Sequence, residues 1–168
     1  MGGADAARVK VEGAVLEELF ERHASEIARL AYLLTGDRQT AEDLAQDAFL
    51  RMAGRFVYLR QPDALHAYLR TTVVNLARSH HRRRAVAGRF LRVQRVETTE
   101  PEFDPGERDA LRSALLELPL RQRTAVVLRF YEDLDEASVA AAIGCAVGTV
   151  KSLASRGVAR LRERMGDI

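Results

Sequence analysis

Apolar residues in this chain recur at helical spacing almost everywhere, and no segment alternates apolar and polar residues convincingly. Leu16, Leu19, Phe20, Ile27, Leu30 and Leu34 fall on one side of a first helix, and Leu44, Ala45, Ala48 and Met52 on one side of a second. A strand would bury every second residue, so this period commits the chain to an all-α fold. Helices with one apolar stripe each must bury those stripes against one another, which 168 residues can do as one domain or as two small ones. Trp is absent and aromatics make up 6% of the chain, so the cores are expected to be small and aliphatic.

Punctuation marks where the helices end. The first helix is expected over about Val11 to Leu34, closed by Gly36, which tolerates the left-handed geometry of a helix end. Thr40, with Asp43 three residues on, is expected to cap a second helix that runs to about Met52. Asp63 is expected to cap a third, from Ala64 to about Arg84. The pattern then decays through Gly88, Thr98, Thr99, Pro101, Pro105 and Gly106, a composition that reads as a flexible linker. Helices resume over 108–118, 121–131, 136–143 and 148–164. The expected organisation is a helical domain over 1–84, a linker over 85–107 and a second helical domain over 108–168.

The formal net charge of +2 conceals a segregated pattern. From Glu12 to Asp63 acids outnumber bases ten to six, whereas Ala64 to Val96 holds eight Arg, three His and no acid. Acids return over Glu97 to Glu117 and vanish again from Ala137 to Arg162. Two separate basic segments imply two contacts with a polyanion. Of the 26 basic residues 24 are Arg, a bias first explained by a GC-rich genome.

The second basic segment has the layout of a helix-turn-helix. Val139, Ala140 and Ile143 face inward on a short helix, Gly144 permits a tight turn, and Val150, Ala154, Val158 and Leu161 form the inner stripe of a second helix. At roughly 100° per residue, Thr149, Ser152, Arg156 and Arg160 lie on nearly the opposite face, as a helix entering a major groove requires. Leu153 and Gly157 fit neither face well. In the first basic segment Thr71, Asn75, Arg78 and Arg82 form a narrow stripe away from Leu65, Leu69, Thr72, Val73 and Leu76. Such a stripe offers phosphate contacts together with base-edge donors and acceptors. Tyr68 and Tyr58 add rings able to stack on exposed bases, or for Tyr68 to pack beside Leu65 and Leu69.

Other functions find no support in the residues. Gly144, Gly148, Lys151 and Ser152 do not have phosphate-loop spacing, and no strand precedes them. His80 and His81 point about 100° apart and make a poor metal pair, and no metal, cofactor or catalytic set is expected, so an enzyme is not. The single Cys145 forms no internal disulfide, and with no secretory leader after Met1 and no apolar run of about 18 residues, a cytoplasmic location without membrane insertion is expected.

Together these segments resemble a known family. Ala41-Glu42-Asp43-Leu44-Ala45-Gln46-Asp47-Ala48-Phe49-Leu50 is similar to the polymerase-binding helix of bacterial sigma factors. Tyr68-Leu69-Arg70 and Asn75-Leu76-Ala77, within Pro62 to Arg84, resemble their promoter-melting helix. Leu118-Pro119, Arg121-Gln122-Arg123, Val126-Val127-Leu128-Arg129 and Gly148-Thr149-Val150-Lys151-Ser152 resemble their C-terminal domain. With only these two domains, the chain resembles the extracytoplasmic-function (ECF) group of the sigma-70 family.

The resemblance implies sigma region 2 over 1–84 and sigma region 4 over 108–168. It implies that Asp43, Gln46, Asp47 and Phe49 dock on the β′ clamp helices of core RNA polymerase. It implies −10 contacts by Tyr68, Arg70, Thr71, Asn75, Arg78 and Arg82, with non-template bases captured as the duplex opens. It implies −35 contacts by Gly148, Thr149, Lys151, Ser152, Ser155, Arg156 and Arg160. An anti-sigma factor is a further implied partner, and the free chain is expected to be a monomer. The sequence departs from the family pattern at Tyr68, where Trp is usual, at Leu153, where Arg is common, and at Cys145-Ala146, where a capping Ser is frequent. A stand-alone helix-turn-helix regulator is the alternative; it accounts for Leu134 to Arg164 but not for the acidic helix beside the acid-free one.

Overall fold

A computed structural model of the chain describes residues 3–55, 61–90 and 107–166. Seven α-helices follow in order: α1 (Gly3–Thr35), α2 (Arg38–Ala53), α3 (Pro62–Phe90), α4 (Glu107–Glu117), α5 (Leu120–Val126), α6 (Glu136–Ile143) and α7 (Val147–Met165). α5 runs directly into a π-helical turn over Val127–Tyr131. Tyr58 and the linker positions 91–106 lie outside the described residues.

The N-terminal half is a three-helix unit in which α1, α2 and α3 pack on one another. Ile27, Leu30, Leu34, Met52, Leu69 and Val73 are fully buried in it. Each such side chain contributes about 1.5–3 kcal/mol of transfer free energy. α1 is longer than the sequence pattern suggests, and it ends at Gly36 (φ +78°), whose N–H donates to Tyr32 O at 2.8 Å. The cap of α2 is Asp37 rather than Thr40. Its carboxylate accepts the Thr40 N–H at 2.8 Å, and the Thr40 side chain and then this backbone bond hold the Asp37 carboxyl below its ordinary range. Phe20, expected on the inner face of α1, is 47% exposed and meets Phe49 edge to face at 4.9 Å. α3 starts at Pro62, with Asp63 inside its first turn rather than before it, and continues to Phe90 through the first six residues of the expected linker.

The C-terminal half is built from α4 to α7. α6 and α7 meet at 96°, with Gly144 (φ +74°) in the turn between them. Asp135 caps α6 by accepting the Ser138 N–H at 2.6 Å, while Ala146 at the start of α7 makes no side-chain cap bond. Gly157 explains itself here: a Cβ at that position would stand 2.6 Å from Val126 Cγ2, so glycine is what lets α7 cross α5 closely. Leu153 is buried on the same side of α7. Of the two residues that looked misplaced on an amphipathic helix, Gly157 sits against α5 and Leu153 is part of the core.

The two halves lie against each other, and their buried side chains form one continuous cluster. Polar ties cross between them. Arg123, only 4% exposed, donates to Leu115 O, Leu116 O and Leu118 O in its own half and to Leu34 O at the end of α1. Arg112 donates to Gly36 O at 3.3 Å, Arg78 to Ile143 O at 2.8 Å and Arg29 to Tyr131 Oη at 3.4 Å. Arg70 approaches Glu132 at 3.9 Å, and burial raises the Glu132 carboxyl above its usual range. Among the described residues no single helix is long and apolar enough to cross a membrane.

Candidate functional site

Three helix faces carry the residues singled out by sequence. On α2, Asp43, Gln46 and Asp47 are exposed side by side, with Ala41, Leu44, Ala45 and Ala48 buried behind them. Arg38 pairs with Glu42 at 2.8 Å and Gln39 donates to Asp43 Oδ1 at 3.1 Å, so this acidic surface is held by short-range contacts along the helix. Phe49 stands apart: at 7% exposure it belongs to the core and supports the helix from beneath. The apolar residue that does reach the surface is Leu50, 65% exposed. Positions 43, 46, 47 and 50 share one stripe, so helical spacing alone was enough to add Leu50 to the set.

On α3 the expected stripe exists, with Asn75, Arg78 and Arg82 exposed and Thr71 half-buried. Arg78 donates to Asn75 Oδ1 at 3.3 Å and Arg82 to Ser79 Oγ at 3.4 Å. The stripe is not wholly open. Arg78 also bonds Ile143 O of the turn after α6, and the Arg70 side chain is 14% exposed beside Glu132. Val74 lies about 40° round the helix from Arg78 and is buried. Tyr68 is half-buried against the core cluster, the packing role weighed for it from sequence. His80 and His81 are half-buried, and burial lowers both imidazoles below their ordinary pKa.

On α7 the exposed face is broad. Gly148, Lys151, Ser152, Ser155, Arg156 and Arg160 are exposed, and Thr149 is half-buried. Ser152 Oγ donates to Gly148 O at 3.3 Å, and Arg156 Nε to Ser152 O at 3.1 Å. Lys151 lies 3.5 Å from Glu136 at the start of α6. Among the described residues no hydrogen bond or ion pair joins this face to the N-terminal half, so a surface of hydroxyls and guanidiniums is exposed. Its acid-free run from Ala137 to Arg162 favours contact with phosphates and base edges.

This arrangement has relatives. A family model described as sigma-70 region 2 matches residues 19–86, and one described as sigma-70, region 4 matches residues 108–161. The RNA polymerase sigma-E factor of Streptomyces coelicolor is 34% identical over 157 residues, covering 89% of this chain and 85% of that protein. The ECF RNA polymerase sigma factor SigM of Mycobacterium tuberculosis is 35% identical over 171 residues, covering 96% of this chain and 82% of that one. SigE of Mycolicibacterium smegmatis is 35% identical over 159 residues, but the match spans only 60% of its length. Among solved structures, the sigma factor RpoE of Bartonella quintana, in complex with the anti-sigma factor NepR, superposes with a TM-score of 0.75 at 25% identity, over 89% of this chain and 95% of that one.

The paired helical domains and their matches define a sigma-70 family protein, a class of transcription-initiation factor and not an enzyme family. Within that class the chain belongs to the ECF RNA polymerase sigma factors, which direct transcription initiation at promoters.

Proposed function

We propose that the three exposed faces divide the work of a promoter-specificity subunit. The face of α2 formed by Asp43, Gln46 and Asp47, with exposed Leu50 beside them, docks on the β′ clamp helices of core RNA polymerase. An acidic surface is suited to a protein partner and is repelled by DNA, which keeps this face off the promoter. The face of α7 reads the −35 element as duplex through Arg156, Arg160, Lys151, Ser152, Ser155 and Thr149, with Gly148 allowing close approach at the helix start. The stripe on α3 engages the −10 element through Arg70, Thr71, Asn75, Arg78 and Arg82, and Tyr68 supports stacking of an unpaired base. Unstacking a base costs a few kcal/mol, and a preformed pocket offsets that cost.

The observation that carries this reading is the free basic face of α7 in the same chain as an acidic, partly apolar face on α2. A stand-alone helix-turn-helix regulator has no use for the second face. Because Arg78 and Arg70 are bonded to the C-terminal half, the two halves separate before α3 meets DNA, and polymerase binding supplies the free energy for that opening. Joining two DNA readers on one chain makes the second contact intramolecular. The work takes place where polymerase and promoter are, in the cytoplasm. A relative solved with an anti-sigma factor supports a partner of that class for this chain.

The test is run-off transcription from genomic promoter fragments, with core polymerase alone and with core plus this chain. Discrete transcripts that appear only with the chain are the expected result. DNA binding without any affinity for core polymerase would contradict the reading and favour the stand-alone regulator.

A further inference from the structure

Where α1 packs on α3, the fold gathers three metal-ligating side chains that no sequence motif announces. His23 and Glu26 stand one turn apart on α1, and His66 faces them from the start of α3. Glu26 Oε1 lies 3.0 Å from His66 Nε2, and Glu26 Oε2 lies 3.5 Å from His23 Nδ1. The two imidazole rings stack with centroids 5.0 Å apart and planes 29° from parallel. One ligand atom from each residue lies within 4.8 Å of the other two. His66 Nε2 is shut off from solvent, and among the described residues the Glu26 carboxylate is what it faces.

We propose that His23, Glu26 and His66 bind one divalent transition-metal ion of the Zn²⁺ class. Two imidazoles and a carboxylate are the donor set that borderline ions such as Zn²⁺ prefer, whereas Mg²⁺ and Ca²⁺ call for all-oxygen shells. A tetrahedral ion with ligands at about 2.1 Å holds them about 3.4 Å apart. The two Glu26 contacts, made by different carboxylate oxygens at 3.0 and 3.5 Å, bracket that separation, and side-chain rotation of these partly exposed residues brings the three ligand atoms round one ion.

The surrounding charges allow a cation. Arg70, one turn beyond His66, opposes it, while the Glu26 carboxylate and the buried Glu132 of the C-terminal half offset that charge. With one to three positions of the ion open, water or a further ligand completes the shell. The ion ties α1 to α3 beside the place where the two halves of the molecule meet.

The experiment titrates Zn²⁺ by calorimetry into the full chain without an affinity tag, with Co²⁺ absorption spectra as a second readout. The account expects saturable binding of one ion per chain and Co²⁺ bands of nitrogen and oxygen ligation. His66→Gln and Glu26→Gln should each weaken Zn²⁺ more than tenfold. Cys145→Ser and the double variant His80→Gln/His81→Gln should bind as the unaltered chain does. Circular dichroism checks that the variants fold; if His66→Gln does not, Glu26→Gln decides. Absence of saturable binding, or unaltered affinity in a folded His66→Gln or Glu26→Gln protein, would overturn the proposal.

Discussion

α3 and α7 are the two basic helices of this molecule, and the fold treats them in opposite ways. On α7 the bonds of Ser152 and Arg156 stay within the helix, and Lys151 reaches only the neighbouring α6. On α3, Arg78 and Arg70 reach across to the other half, and Val74 beside them is buried. Charge along the chain tells what each surface meets, whereas packing decides when that surface is available. In the proposed reading, α7 is ready for duplex DNA in the closed arrangement, and α3 becomes so only as the halves part.

The largest effect on this comparison is expected from Arg123→Ala, which strips a buried cation from four carbonyls, one of them Leu34 O of the other half. Unpaired buried acceptors cost about 1–3 kcal/mol each, so urea denaturation should show a loss of at least about 3 kcal/mol. Gly157→Ala comes next. Its new methyl meets Val126 Cγ2, and overpacking of about 1–3 kcal/mol outweighs the helix-propensity gain of about 1 kcal/mol. Thermal melting should show that loss, and a stabilised variant would mean that α7 and α5 are not so close.

A smaller change is expected from Arg78→Ala. Losing the bond to Ile143 O, with exposure reducing its worth to about 1 kcal/mol, should expand the free chain in small-angle scattering. Unchanged dimensions would remove the cover assigned to α3.

The smallest effect is a pH dependence. His66, His80 and His81 all have folded pKa values below the ordinary 6.5, so the unfolded chain binds more protons in that range. Their contribution to stability is present above pH 6.5 and is lost as pH falls through the folded values. Melting temperature should therefore fall on acidification below about pH 6.5, and His81→Gln should flatten the slope. Glu132, raised by burial, works with the opposite sign at lower pH, where its protonation favours the fold.

Local signals were readable in advance and tertiary ones were not. The helix-turn-helix followed from Gly144 and the spacing of Val139, Ile143, Val150 and Leu161, because a turn residue and a helical period act within a few positions. Gly157 made no sense until α5 was placed against it, and Leu153 until it proved buried. Arg123 reads as a surface cation in sequence, and only its surrounding carbonyls show why it is buried. Asp37 displaced Thr40 as the cap because the chain turns into α2 three residues earlier than the apolar pattern suggests. Leu50 needed only the 43–46–47–50 spacing, whereas His23, Glu26 and His66 meet only when α1 packs on α3. The cover on Arg70 and Arg78 comes from a part of the chain more than sixty residues away.

The central claim is that one chain holds separate surfaces for polymerase and for promoter. It is tested most directly by measuring both affinities for Asp47→Ala and Arg156→Ala, each over a range of salt. Arg156→Ala should lose about 1–3 kcal/mol of promoter binding and lower its salt slope by about one, with core-polymerase affinity unchanged. Asp47→Ala should weaken core-polymerase binding and leave promoter contact by the isolated chain as it was. Equal loss of both affinities in both variants would contradict the division.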